Sequence, residues 1–136
     1  MLVEPYKSEI LPHWRFKTEK IAKQSALKIY KMFLAYVKVK DFVGMDMARK
    51  FLQMGYTRAR RYANHPSGKK YKTNPQKAVS KSESLKIRKS PLPQAKDWGS
   101  SEKARAARIF YAYYLKAKVN KKYLKARELH LRDCTA

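Results

Sequence analysis

The sequence predicts a small all-α protein of three to five helices with an irregular N-terminal arm and a long basic loop. Apolar residues recur at the helical i, i+3, i+4 spacing in three long stretches, and no segment shows a convincing strand alternation. Hydrophobic residues make up 44% of the 136 residues, enough for a modest core. We therefore expect a single domain over residues 1–136.

The opening 17 residues are predicted to form an extended arm over the helical body. Pro5 and Pro12 push the residues before them away from helical backbone angles. The aromatic side chains near them need a surface to pack on, and pinning the arm to a helix pair is their ordinary role. As an alternative, Trp14 beside Arg15 would stack on an exposed base.

Residues 18–64 are predicted to form a helical hairpin. Thr18 is a suitable N-cap for the first helix, and Asp41 is suitable for the second. Gly55 either ends the second helix as a C-terminal cap or merely interrupts it. The inner stripe of the first helix is Ile21, Ala22, Ser25, Ala26, Ile29, Phe33, Tyr36 and Val37.

Residues 65–99 are predicted to form a basic flexible loop. The segment is rich in proline, serine and lysine and has few large apolar side chains, so it buries too little surface to offset its ordering entropy. It is also too long for an ordinary connection, which suggests a function. We expect it to become ordered against a partner.

Residues 100–131 are predicted to return to helix. Ser100 is the expected cap of a third long helix, Asn120 marks a weak joint, and a short basic helix follows over Lys121–Leu131. The tyrosine-rich stretch of the third helix is expected to contribute core side chains and one solvent-exposed side of the helix. It is not expected to form a cofactor site.

The net charge is the feature that points most directly to a partner. There are 33 Lys and Arg against 10 Asp and Glu, which gives +23, and the excess is spread along the whole chain. Such charge costs self-repulsion in the folded state unless a polyanion neutralises it, with counterion release driving binding. The predicted partner is nucleic acid, either DNA or RNA, and not a membrane.

Several other chemistries find no support in the sequence. Cys134 is the only cysteine, so the chain can form neither an internal disulfide nor a cysteine metal cluster. No apolar stretch reaches 18 residues, the N-terminus does not resemble a secretory signal, and no phosphate-binding or nucleophile motif occurs. We predict no catalytic residues, metal or cofactor. A metal-free phosphodiesterase using His65 with Lys69 or Arg61 stays open as an alternative.

The candidate nucleic-acid-binding residues cluster at the end of the hairpin. Arginine offers a planar fork that matches phosphate oxygens, and neighbouring tyrosines can stack on bases. A solvated basic face with tyrosines filling the edge of the core is the alternative. The set consists of Arg58, Arg60, Arg61, His65, Lys69, Lys70, Tyr71 and Lys72, with Trp14 and Arg15 from the arm.

Three motifs carry a family resemblance: YKSEILPHWRFKT, DFVGMDMARKFLQMGYTRARRYANHPSGKKY and ARAARIFYAYYLKAKVNKKYLKARE. With them the chain resembles the domain of unknown function family 4385, found in bacteria, their phages and fungi. The resemblance implies no activity, and it suggests a chain that starts later than its relatives. It directs attention to Lys7, His13, Trp14, Arg15, Arg58, Arg60, Arg61, Asn64 and His65.

Together these features predict a non-enzymatic nucleic-acid-binding protein that contacts the phosphate backbone with little sequence specificity. Two alternatives remain: an RNA-bound structural subunit of a large ribonucleoprotein such as a ribosome, and a phage-type regulator of host nucleic-acid machinery. The expected location is the cytoplasm, associated with the nucleoid or with RNA.

Overall fold

The computed structural model describes residues 4–65 and 70–135, which form six α-helices and no strand. The all-α class is confirmed, with one helix more than the predicted maximum. Two short helices, α1 and α4, were not expected, since they lie in segments predicted to be irregular. The helices are α1 (Tyr6–Ile10), α2 (Glu19–Lys38), α3 (Phe42–Asn64), α4 (Lys81–Lys89), α5 (Glu102–Lys118) and α6 (Lys121–Thr135).

The hairpin of α2 and α3 begins at the predicted caps. Thr18 Oγ1 accepts a hydrogen bond from the Ile21 amide at 3.1 Å, and the Asp41 carboxylate accepts one from the Gly44 amide at 3.2 Å. Each cap satisfies an amide that has no partner inside its helix. The predicted span of residues 18–64 therefore matches the observed pair of helices.

The turn between α2 and α3 places Lys40 in the left-handed region, with φ of 60°. The Lys40 amide donates to Val37 O at 3.1 Å and the Asp41 amide donates to Tyr36 O at 2.9 Å. This pair of bonds is the usual way to close a helix C-terminus, at a position that glycine normally occupies. A lysine with a Cβ is strained there.

The core lies where α2, α3 and α5 pack together. The largest side chains buried in it include Phe33, Ile29, Leu52 and Phe110, which come from all three helices. The most extensive contact joins α3 to α5, and α2 packs against both. The helical spacing of these apolar residues explains why each helix turns one face inward.

Gly55 neither ends nor interrupts α3, which continues to Asn64. It lies at the closest approach to α5: a Cβ added to Gly55 would fall 2.4 Å from Cδ1 of Phe110. Because Phe110 is completely buried, its ring has little room to move away. Because glycine has no side chain, α3 and α5 can approach each other closely at this position.

The N-terminal arm is less extended than predicted. It contains α1 and a 3₁₀ turn over Leu11–His13, and Ile10 is completely buried. The Trp14 ring lies 5.3 Å from that of Phe16 and 5.6 Å from that of Phe51 in α3. Packing of these apolar side chains onto the body favours local helix despite the prolines.

The predicted loop also contains regular structure. A 3₁₀ turn covers Pro75–Lys77, and α4 begins where Ser80 Oγ accepts from the Glu83 amide at 3.2 Å. Val79 is 95% exposed and Leu85 is 60% exposed, so the segment buries little apolar surface, in line with its composition. The cap and the packing of α4 against the Pro75–Lys77 turn together support this short helix.

The C-terminal helices differ from the prediction at their ends. Ser101, rather than Ser100, caps α5 by accepting from the Ala104 amide at 3.2 Å. The α6 helix continues beyond Leu131, to Thr135. None of the helices in the described residues is both long and apolar enough to cross a membrane.

Replacing Gly55 by alanine is expected to lower the free energy of unfolding by about 1–2 kcal/mol. Because the clash is with a completely buried ring, the overpacking cost should lie in the upper part of its usual range, at about 2–3 kcal/mol. A gain of about 1 kcal/mol from alanine's helix propensity offsets part of it. Chemical denaturation measures it. Gly99→Ala is the control, since a Cβ there meets nothing within 4 Å. A stabilised Gly55→Ala variant would refute the close packing of α3 and α5.

Replacing Lys40 by glycine is expected to raise the free energy of unfolding by about 1 kcal/mol, because glycine adopts the left-handed conformation without strain. The control, Lys38→Gly, removes the same charge from the last residue of α2 and should lower stability by up to about 1 kcal/mol. Thermal unfolding of the two variants side by side tests the turn geometry. Equal effects of the two changes would contradict it.

Candidate nucleic-acid interface

The structure divides the predicted site residues among several places. Arg61, Lys70, Tyr71 and Lys72 come together in one groove of about 460 Å³. Lys69 lies outside the described residues. The groove, called here the basic groove, is completed by side chains that the sequence did not single out: Asn74, Pro75, Gln76, Lys77 and Arg88.

Several elements build the basic groove. Arg61 projects from the last turn of α3, and Arg88 from the last turn of α4. Between them Asn74 Oδ1 accepts from the Gln76 amide at 2.9 Å, which starts the 3₁₀ turn. The Leu92 amide donates to Lys70 O at 2.7 Å and so closes the segment.

The charge of the basic groove has one sign. Arg61, Lys70, Lys72, Lys77 and Arg88 supply five cations, and the lining contributed by the described residues includes no carboxylate. None of the five forms an ion pair with a described acidic residue. Their guanidinium and ammonium groups are therefore available to an external anion. An anion with several oxygens, such as phosphate, matches them best.

Tyr71 adds an aromatic wall to the basic groove. Its side chain is half-buried, and the Lys70 ammonium lies 5.6 Å from the ring centre. Asn74 and Gln76 add neutral amides that can donate to phosphate or sugar oxygens. The groove thus combines charge with uncharged donors, and its chemistry is directed at a sugar-phosphate backbone.

Trp14 and Arg58 lie together elsewhere. Arg58 Cζ is 5.9 Å from the centre of the Trp14 ring, and the indole Nε1 is buried without a hydrogen-bond partner among the described residues. The Arg15 amide donates to Ser25 Oγ at 2.9 Å, while the Arg15 side chain is exposed. Trp14 therefore anchors the arm, which is the ordinary role expected for it from the sequence; base stacking was the alternative.

Lys103 reinforces that anchor from α5. Its ammonium donates to Phe16 O at 3.0 Å and lies 5.2 Å from the Phe16 ring centre and 5.8 Å from that of Tyr62. Burial lowers the pKa of Lys103, an effect that Glu102 opposes and Lys17 adds to. The lysine holds the arm, α3 and α5 together.

Arg60 and His65 are not part of the basic groove's lining. Arg60 Nη2 donates to Trp98 O at 3.2 Å, and its Nε is buried with no hydrogen-bond partner in the described part of the chain. His65 is only 9% exposed, and its Nδ1 is likewise buried with no partner among residues 4–65 and 70–135. Asn64 beside it accepts from the Ala95 amide at 2.7 Å, which covers this end of α3.

Lys77 and Arg88 could not be singled out from the sequence, because each is one basic residue among many in a segment without periodicity. The high density of basic residues in that segment was the available signal. Which of those residues face Arg61 depends on the 3₁₀ turn and on α4. Across the described residues, no three His, Cys, Asp or Glu side chains are grouped so as to hold a metal ion.

Comparison with known proteins confirms the family resemblance. A family model described as Domain of unknown function (DUF4385) matches residues 1–133, nearly the whole chain. No curated protein and no solved structure matches the chain significantly.

Proposed function

We propose that this chain, which belongs to the Domain of unknown function (DUF4385) family, is a non-enzymatic protein that binds the sugar-phosphate backbone of nucleic acid in its basic groove. The observation that carries the proposal is the convergence of five cations on one groove whose described lining contains no carboxylate. The family description names no activity, so the support for this function is the basic groove and the charge of the chain.

The groove accounts for affinity better than for sequence recognition. Arginine forks bind phosphate oxygens in pairs, and lysine adds point charges that release condensed counterions. Backbone contacts hold a protein on its nucleic acid but carry no direct sequence information. The expected binding is therefore salt-sensitive and weakly specific.

The rest of the molecule supports the same function. The net charge of +23 extends well beyond the groove and favours long-range attraction of a polyanion. Such a protein would act where its nucleic acid is, and we propose the nucleoid or cytoplasmic RNA as that place.

A structural role in a ribonucleoprotein is the second candidate. It is favoured by Val79 and Leu85, apolar side chains that remain largely exposed around α4. In a large assembly, RNA or a neighbouring protein would cover them. This candidate uses the same basic groove and differs in expecting one fixed RNA site rather than many equivalent ones.

The proposal is tested by binding to labelled duplex DNA, single-stranded DNA and structured RNA over a salt series, after nuclease treatment and a high-salt wash. Changing Lys70, Lys72 and Lys77 to alanine should lower affinity and make the log–log salt slope shallower by about 2–3, at roughly 0.9 per phosphate contact in duplex DNA.

The matched control changes Lys23, Lys28 and Lys31, three exposed lysines of α2, to alanine. It removes the same charge and should alter the slope much less. Equal losses in the two triple variants would show that only the overall charge matters. Affinity that does not change with salt would refute phosphate binding altogether.

A further inference from the structure

A second surface on the molecule combines positive charge with aromatic rings, along the seam of α3 and α5. On α3 the side chains of one face recur in steps of four and three residues, which brings them into line. A second row of side chains, on α5, lies alongside this face of α3. The α3 row is Phe42, Asp46, Arg49, Gln53, Tyr56 and Arg60, and the α5 row is Arg108, Tyr111, Tyr114 and Lys118.

Three tyrosine rings form a continuous path across the seam. The ring centres of Tyr56 and Tyr111 are 4.7 Å apart, and those of Tyr111 and Tyr114 are 6.2 Å apart. Tyr111 is 41% exposed, whereas its neighbour Phe110 is completely buried in the core. Tyr56 and Tyr114 are half-buried against the core, so the path presents the ring of Tyr111 and the outer edges of its two neighbours to solvent.

Cations alternate with these rings. The Lys118 ammonium lies 5.8 Å from the centre of the Tyr114 ring. Arg49 is held beside the path because its Nε donates to Asp46 Oδ1 at 2.9 Å and its Nη1 donates to Gln53 Oε1 at 2.8 Å. At the far end Arg108 Nη1 donates to Gly99 O at 2.9 Å. These hydrogen bonds hold the guanidinium groups of Arg49 and Arg108 in place.

The path opens at one end into a cleft of about 580 Å³ between α3, α5 and α6. Arg49, Tyr114 and Lys118 reach into this cleft from the path, and Arg127 adds a further cation from α6. Apolar and aromatic side chains make up much of its remaining wall: Phe42, Val119, Tyr123, Leu124 and Leu131.

Asp46, the acidic residue among the described side chains of the cleft, is paired within it. Its Oδ1 accepts from the Tyr123 hydroxyl at 2.7 Å as well as from Arg49. Burial alone would raise the pKa of Asp46, but these bonds and the charges of Arg49 and Arg127 outweigh it and lower the pKa, so the carboxylate stays ionised. It offsets one positive charge of the cleft, and Lys118 and Arg127 remain in excess over it.

The surface is long enough for a few nucleotides. Arg108 and Lys118 are 10 residues apart on α5, which corresponds to about 15 Å at a rise of roughly 1.5 Å per residue. Rings alternating with cations are the arrangement that single-strand-binding proteins use, because every base has a face to stack and every nucleotide has a phosphate. A duplex, whose bases are already stacked on each other, could use only the cations.

We infer that this seam, the tyrosine track, is a second nucleic-acid site that takes an unpaired strand, with bases stacking on Tyr111 and Tyr114 and phosphates contacting Arg49, Arg108 and Lys118. The inference rests on the proposed function and adds a preference for single strands. The basic groove supplies phosphate contacts common to single and double strands, and the track distinguishes between them.

The test compares a labelled single-stranded oligonucleotide with an abasic strand of the same length and with a duplex, at one salt concentration. The abasic strand keeps every phosphate and lacks the bases. The protein should bind the complete strand about tenfold or more tightly than the abasic one, because two bases stacked on Tyr111 and Tyr114 together supply at least that factor.

Joint replacement of Tyr111 and Tyr114 by leucine should remove most of this difference while leaving the duplex affinity unchanged. The paired control replaces both by phenylalanine, which retains the rings and should retain the difference.

Tyr113→Leu is a second control on the same helix, because Tyr113 faces Tyr30 of α2, with ring centres 5.5 Å apart. Circular dichroism of each variant checks the fold, and Lys118→Ala tests the track without altering a ring.

The outcomes separate the inference from the proposed function. Equal, salt-sensitive binding of the complete and abasic strands would overturn the track and leave the basic groove standing. A preference for the complete strand that survives the leucine variant would also overturn it, by placing the stacking elsewhere. No binding to any of the three nucleic acids would overturn both proposals.

Discussion

The close approach of α3 and α5 is the contact on which the rest of the molecule depends. It requires glycine at position 55, where the buried ring of Phe110 occupies the space of a Cβ. The core forms where α2 closes over this pair. One end of α3 carries Arg61 into the basic groove, and the outer edge of the same seam forms the tyrosine track. A wider spacing would separate Tyr56 from Tyr111 and open the core to water.

The second constraint is electrostatic. The chain has few acidic residues, and those that the structure describes are largely used internally. Asp41 caps α3 and accepts from the Tyr6 hydroxyl at 2.7 Å, Asp46 binds Tyr123 and Arg49, and Glu19 pairs with Arg105 at 2.9 Å. These contacts join helices to one another, so the excess of lysine and arginine remains uncompensated. A bound polyanion would relieve the resulting repulsion.

Much of the fold could be read from local patterns. The helical period of the apolar residues and the caps Thr18 and Asp41 located α2 and α3 closely, because both signals depend on neighbours in the sequence. The short helices α1 and α4 were missed. Prolines near the first and the polar composition around the second concealed them, and packing or a single cap decided their structure.

The candidate site was predictable only in part. Charge density drew attention to the end of α3 and the residues after it, and Arg61, Lys70 and Lys72 share a groove there. Arg58 and Arg60, close neighbours of Arg61 in sequence, turn to Trp14 and to the carbonyl oxygen of Trp98 instead. Successive helical residues point about 100° apart, so one helix cannot aim all three at a single ligand.

The sequence by itself determined the helical class, the positions of the long helices and the large positive charge, because periodicity, capping and composition act over a few residues or over the whole chain. The tertiary structure decided which cations share a surface. It brought Arg88 of α4 opposite Arg61 of α3, and Tyr111 of α5 against Tyr56 of α3. Such pairs lie tens of residues apart, and only the packing of buried side chains sets the distance between them.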